Sequence, residues 1–242
     1  MDKFATDLHI DEGWGRRSKD RHNKRVRDIL EVTVKDMGPD DTLIIGGDIV
    51  HNVTERSLKE ARDLIKDLKC KKKICPGNHD AGMWGTWHRR NKYLKFHNEF
   101  VAPVEGTKEP RGGWERRYPH FWVSNRRLNI LLDSAGEVRA LKWHLARGHI
   151  GTRQLLVLES KLSMWPKAYP VRAFMHHHLL ERPGMGLEMH DAVRCRSALT
   201  AFSHTDIVAY MGHKHERNTY NWPKMKMEAT GKFVDAGPIL VE

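Results

Sequence analysis

A chain of 242 residues, 39% hydrophobic and 30% charged with the charges well mixed, can bury a substantial core, which excludes a disordered or fibrous protein. No apolar run approaches the roughly 18 residues of a membrane helix, and three cysteines (Cys70, Cys75, Cys195) without CxxC spacing exclude a disulfide framework or zinc knuckle. The net charge of +11 concentrates at Arg16–Arg27, Lys69–Lys73, Arg89–Lys92 and Arg111–Arg127 and points to an anionic partner, a phosphate ligand or nucleic acid, with no membrane partner. With no apolar leader after Met1, the expected compartment is the reducing cytoplasm.

In chain order, Phe4–Thr6 reads as the end of a short strand running into Asp7-Leu8-His9. From Arg17 to Met37, Val26, Ile29, Leu30, Thr33 and Met37 fall at helical spacing, and Gly38-Pro39 stops the helix. Thr42–Ile45 is a buried-type strand ending in Gly46-Gly47-Asp48. Leu58, Ala61, Leu64, Ile65 and Leu68 mark one face of a second helix with Thr54 as N-cap. Ile74-Cys75-Pro76 is a third strand, finishing in Gly77-Asn78-His79-Asp80. The order β-α-β-α-β predicts parallel strands with right-handed crossovers.

Residues 81–125 show poor periodicity and are expected to form a lid or loop elaboration. Leu128–Leu132 is another buried strand, followed by Asp133-Ser134. Leu155, Leu158 and Leu162 space out a helix that Pro166 ends. Val171–Met175 is a strand into His176-His177-His178, and Ile207–Met211 a strand into Gly212-His213-Lys214-His215. A final strand falls within Lys232–Val241. Without internal repeats, the chain reads as a single domain over 1–242.

Five separate apolar strands thus end in groups able to bind a hard or borderline metal: Asp7 with His9, Asp48, Asn78 with His79, the histidine triplet, and His213 with His215. The carboxyl ends of strands in open α/β sheets form the ligand crevice. A mixed oxygen and nitrogen set without thiolate suits Mn, Fe, Zn or similar ions. Each piece alone is weak to moderate; their fixed order, each directly after a strand, is what argues against five unrelated polar loops.

The pattern Asp-x-His, Gly-Asp, Gly-Asn-His, a lone His, then Gly-His-x-His resembles the calcineurin-like metallophosphoesterase superfamily over Asp7 to His215. Leu131-Leu132-Asp133-Ser134 and Gly151-Thr152-Arg153-Gln154-Leu155 resemble its cyclic-nucleotide and glycerophosphodiester phosphodiesterase branch, although Leu179 stands at the branch's proline position. The "GDxVDRG" stretch of protein phosphatases is absent; the chain reads Gly47-Asp48-Ile49-Val50-His51-Asn52. The resemblance implies a four-layer α/β/β/α sandwich and two divalent ions, Mn, Fe, Zn or a mixture. One ion takes Asp7, His9 and His215; the other takes Asn78, His213 and a triplet histidine; Asp48 bridges. His177 is favoured from the triplet, with His176 as fallback. It further implies His79 as general acid. The Asp that orients this histidine in many relatives is here His51, leaving Asp80 as the expected substitute besides its expected role as a helix cap.

The reaction expected from the resemblance is metal-dependent hydrolysis of a nucleotide or other small phosphodiester. The alternatives are a nuclease or nucleic-acid end-processing enzyme, which the basic charge favours, and a non-catalytic interaction module, which the complete ligand set disfavours. Trp84, Trp87, Trp114, Trp122 and Trp143 interleave with arginines; any that line the crevice would stack a base.

Overall fold

The structure is a computed structural model that describes residues 1–82, 89–135, 147–180, 189–202, 204, 206–215, 217–229, 232–236 and 239–241. Its first half runs β1 (Asp2–Ala5), α1 (Gly15–Val34), β2 (Thr42–Gly46), α2 (Glu55–Ile65), β3 (Lys71–Cys75), then α3 (Arg89–Phe96), a π-helical turn (His97–Val101) and α4 (Ala102–Glu105). The second half runs β4 (His120–Ser124), β5 (Arg127–Leu131), α5 (Thr152–Met164), β6 (Val171–Phe174), α6 (Ala192–Thr200), β7 (Ile207–Met211), β8 (Asn218–Trp222), β9 (Met225–Ala229), α7 (Phe233–Ala236) and β10 (Ile239–Val241).

Local chemistry accounts for the helices that flank the first sheet. The Thr54 hydroxyl accepts the Ser57 N–H at 3.1 Å and the Ser57 hydroxyl accepts the Thr54 N–H at 3.0 Å, a reciprocal cap that starts α2. α1 buries Val26, Leu30 and Thr33 one turn apart while its other faces carry charge. Every residue of β2 is buried, as its continuous apolar run requires of a strand covered on both faces.

The strands form two sheets: a four-stranded one ordered β10-β1-β2-β3 and a six-stranded one ordered β4-β5-β6-β7-β9-β8. β1, β2 and β3 pair in parallel, as the β-α-β-α-β order predicts. β5, β6, β7 and β9 also run parallel, with β4 and β8 antiparallel at the edges. Phe4, Ile44, Cys75, Leu131, Phe174 and Tyr210 fill the space between the sheets. The outer face of the first sheet is covered by α1, α2 and the segment from Phe96 to Val104; that of the second by α5 and α6. The result is the expected α/β/β/α layering. Among the described residues, no helix is long and apolar enough to cross a membrane.

Several expected elements move. β3 begins three residues early and contains Lys71–Lys73, which a sheet tolerates because β3 is an edge strand. Part of the expected lid, 81–125, joins the core: Phe96, Phe100, Val101 and Val104 pack under the first sheet, and β4 pairs with β5; residues 83–88 lie outside the described residues. The unforeseen β8–β9 hairpin hides its period-two signal behind lysines, since Met225, Met227 and Ala229 are buried and Lys226 between them is exposed. The final strand shrinks to Ile239–Val241, with α7 in front of it.

Candidate metal centre

The carboxyl ends of β1, β2, β3, β6 and β7 carry the expected residues into one cluster drawn from both sheets. Asp7, His9, Asp48, Asn78 and His176 are each at most 2% exposed. The loops leave their strands abruptly. Asp7, His9, Asp48, His213 and His215 all have positive φ, between 46° and 72°. For residues with a β-carbon this conformation is costly, and such outliers concentrate where a site over-determines the backbone. Gly47 and Gly77 let two of these loops touch: a β-carbon on Gly47 would lie 2.6 Å from the Gly77 nitrogen, and one on Gly77 would lie 2.2 Å from Asp48 Oδ1.

Two groups of donors meet at Asp48. In the first, His9 Nε2 and His215 Nε2 stand 3.2 Å apart, with Asp7 Oδ1 3.2 Å from His215 Nε2 and 3.9 Å from His9 Nε2. In the second, His176 Nε2 lies 3.1 Å from Asn78 Oδ1, 3.1 Å from His213 Nδ1 and 3.2 Å from Asp48 Oδ2. Asp48 Oδ2 is also 3.8 Å from His9 Nε2, so one carboxylate oxygen stands between the groups. Asp48 Oδ1 is held by the His79 backbone N–H at 2.9 Å, and Asp7 Oδ2 by the His213 N–H at 3.0 Å. His215, with its side chain 42% exposed, marks the open side.

One expectation shifts. The triplet residue that meets Asp48, Asn78 and His213 is His176, not the favoured His177. His177 also lies close, its ring 4.6 Å from that of His213, but its Nδ1 is bonded to the Ser134 hydroxyl at 2.8 Å. His176 Nδ1 faces the Gly46 carbonyl at 3.0 Å, so it carries the proton and Nε2 turns its lone pair toward the cluster.

The donor set fits divalent cations. Asp7 Oδ1 and His213 Nε2 are buried and receive no well-directed hydrogen bond, which crowds lone pairs with few protons to share. Burial holds His9 and His213 well below the usual imidazole range, keeping both neutral and able to ligate. Burial also opposes charge on His176, yet the Asp48 carboxylate against it outweighs this and pushes it up to about 9. Asp48 itself, despite burial, is held well below the carboxylate range, chiefly by His176. That carboxylate demands a cation, and a metal ion meets the demand as an imidazolium does.

The histidine beside the cluster is oriented unexpectedly. His79 Nδ1 donates to the backbone carbonyl of His51 at 2.7 Å, leaving Nε2 to face the cleft, 3.9 Å from Asp48 Oδ2. A carbonyl does the orienting, so the missing aspartate at position 51 is no loss, and the His51 ring stands 5.2 Å from that of His79. Asp80 is therefore neither orienter nor helix cap. Its carboxylate accepts the N–H groups of Ile49 and Val50 at 3.1 Å and Gly77 at 2.9 Å, clamping the Asp48 loop to the Asn78 loop. Burial, then the charge of Asp48, raise its carboxyl to about 7 against these donors. Asp80→Ala leaves three buried N–H groups unpaired, at about 1–3 kcal/mol each. Its melting temperature is expected to fall by several degrees, and Asp80→Asn, which keeps one accepting oxygen, to fall less.

Of the five tryptophans weighed as base-stacking candidates, the two among the described residues pack inside the fold. Trp114 is fully buried and Trp122 stacks on Phe174 at 5.8 Å between the sheets; Trp84, Trp87 and Trp143 lie outside the described residues. The sequence reading passed over Trp14, which is 98% exposed, just beyond the His9 loop.

Fold and donor set together define an α/β/β/α protein with a metal-binding centre at its strand ends. A model of the family described as calcineurin-like phosphoesterase matches residues 3–217. The chain belongs to that family, whose chemistry is metal-dependent hydrolysis of phosphoesters. Among curated proteins it is 31% identical over 76 residues to a "probable cyclic nucleotide phosphodiesterase" of Coxiella burnetii, a match spanning 31% of this chain and 30% of that protein. Among solved structures it resembles a dimetal phosphatase of Danio rerio, with a TM-score of 0.69 at 14% identity over 96% of this chain and 87% of the other. It also resembles the phosphopantetheinyl hydrolase of Mycobacterium tuberculosis, with a TM-score of 0.56 at 13% identity over 95% of this chain and 89% of the other. These structural likenesses speak for the fold.

Proposed function

We propose that this protein is a phosphodiesterase acting on nucleotides or other small phosphodiesters with two divalent ions, Mn, Fe, Zn or a mixture. The observation that carries the reading is the single Asp48 oxygen set between two groups of buried donors with His79 alongside. Asp7, His9 and His215 would hold one ion and Asn78, His176 and His213 the other, with Asp48 within reach of both groups. Such ions would supply charge to offset the phosphate anion and a more acidic water as nucleophile. With Nδ1 donating to the His51 carbonyl, His79 presents Nε2 to the cleft, and in its doubly protonated form it would give the Nε2 proton to the leaving oxygen. The positive φ values keep the ligands aimed before substrate arrives. The resemblance to a cyclic nucleotide phosphodiesterase supports a nucleotide diester; the charge of +11 supports the second reading, a nucleic-acid end or strand.

A panel of cyclic nucleotides, glycerophosphodiesters, p-nitrophenyl phosphate and single- and double-stranded DNA and RNA, each with added Mn²⁺, separates these readings. Small diesters are expected to turn over at least tenfold faster than the monoester. Turnover confined to DNA or RNA would replace this reading with the nuclease, and turnover confined to the monoester would remove the diesterase.

A further inference from the structure

Trp14 is 98% exposed, whereas Trp114 is wholly buried and Trp122 and Trp165 pack against the cores. Leaving a large aromatic ring in water forgoes the roughly 1.5–3 kcal/mol that burying an apolar side chain of this order provides. The surrounding turn keeps it there. Gly13 and Gly15 on either side have φ of 120° and 72°, and a β-carbon on Gly13 would lie 2.4 Å from Ser18 Oγ. The turn is also tied to the metal-centre loop at its base. The Glu12 N–H bonds the His9 carbonyl at 2.9 Å, the Asp11 N–H bonds Asn23 Oδ1 of α1 at 2.7 Å, and the His22 ring of α1 lies 2.9 Å from the Leu8 carbonyl.

These ties hold the base of the Trp14 turn against the His9 loop. His215, the exposed candidate ligand, lies against His9, the residue from which this loop departs. Five residues from His9, the Trp14 Cα is at most about 18 Å from it. The turn carries cations nearby in the chain and at its base: Arg16 follows Trp14 and pairs with Asp20, and Lys19 and Arg56 pair with Asp11 at 3.3 and 3.2 Å.

We propose that Trp14 is the base-stacking residue of this enzyme and sets its preference for diesters that carry a planar nucleobase. The inference rests on the phosphodiesterase reading and narrows its substrate class. Phosphate at the metal centre anchors one end of a nucleotide, and the indole face receives the base, a contact that tolerates every base because each has a π-face. A glycerophosphodiester with an uncharged head, such as glycerophosphoglycerol, has neither a planar nor a cationic group and gains nothing from the indole.

The test compares wild type, Trp14→Ala and Trp14→Phe, all loaded with Mn²⁺, on a cyclic nucleotide and on glycerophosphoglycerol. For Trp14→Ala, KM for the nucleotide is expected to rise about tenfold or more with kcat within twofold. Its kinetics on glycerophosphoglycerol and its melting temperature are expected to stay unchanged, since the ring packs against nothing, and Trp14→Phe is expected to recover most of the loss. Equal effects on both substrates, or none on either, would overturn the role of Trp14 and leave the phosphodiesterase reading standing. Wild type inactive on both diesters would instead overturn that reading, and this inference with it.

Discussion

Asp48→Asn is expected to reduce turnover by about a thousandfold or more and to lower the metal content of the purified protein. The carboxylate oxygen that changes is the one between His9 Nε2, 3.8 Å away, and His176 Nε2, 3.2 Å away. A neutral amide there removes the charge that both donor groups share, and a thousandfold loss corresponds to about 4 kcal/mol of barrier. The substitution is also mild for the fold. Asparagine keeps an oxygen for the His79 N–H that Asp48 Oδ1 accepts at 2.9 Å, so the loop retains its anchor. Metal analysis alongside circular dichroism checks this. A variant with two ions per chain and near-normal turnover would show that Asp48 is no bridge.

His79→Ala has the second largest expected effect, and its signature differs. Turnover should fall roughly a hundred- to ten-thousandfold, the range for losing a positioned general acid, while both ions remain. The side chain stands beside the centre, with its ring 4.7 Å from that of His9, yet its Nδ1 is spent on the His51 carbonyl. A substrate whose leaving group needs no proton, such as a p-nitrophenyl diester, should lose far less than a cyclic nucleotide does. Loss of metal from His79→Ala would make it a ligand and reverse the assignment of roles. Because the contact runs to a backbone carbonyl, His51→Ala should leave the orientation of His79 intact.

Much of the layering was legible because the strands carry their own signal. The runs Thr42–Ile45 and Ile207–Met211 are apolar throughout, which only strands buried on both faces require, and each is followed at once by its ligands. The hairpin of β8 and β9 was not legible, because Lys226 stands between the buried Met225 and Met227 of β9 and breaks up its apolar run. Nor was the buried character of the segment from Phe96 to Val104, whose aromatic and arginine content masks helical periodicity until the first sheet is there to receive it.

At the centre the division is sharper. The candidate ligands Asp7, His9, Asp48, Asn78, His213 and His215 and their order are legible in the sequence, each directly after an apolar strand, and the family resemblance implies their pairing. The choice between His176 and His177 is not legible, because both follow the end of β6 and only the fold brings His176 Nε2 against Asn78 and Asp48. Likewise Asp80 is one letter among possible caps until the Ile49, Val50 and Gly77 N–H groups close on it across two loops. What orients His79 could not be read from side chains at all, for the group is a backbone carbonyl that every residue possesses and only the fold brings into position.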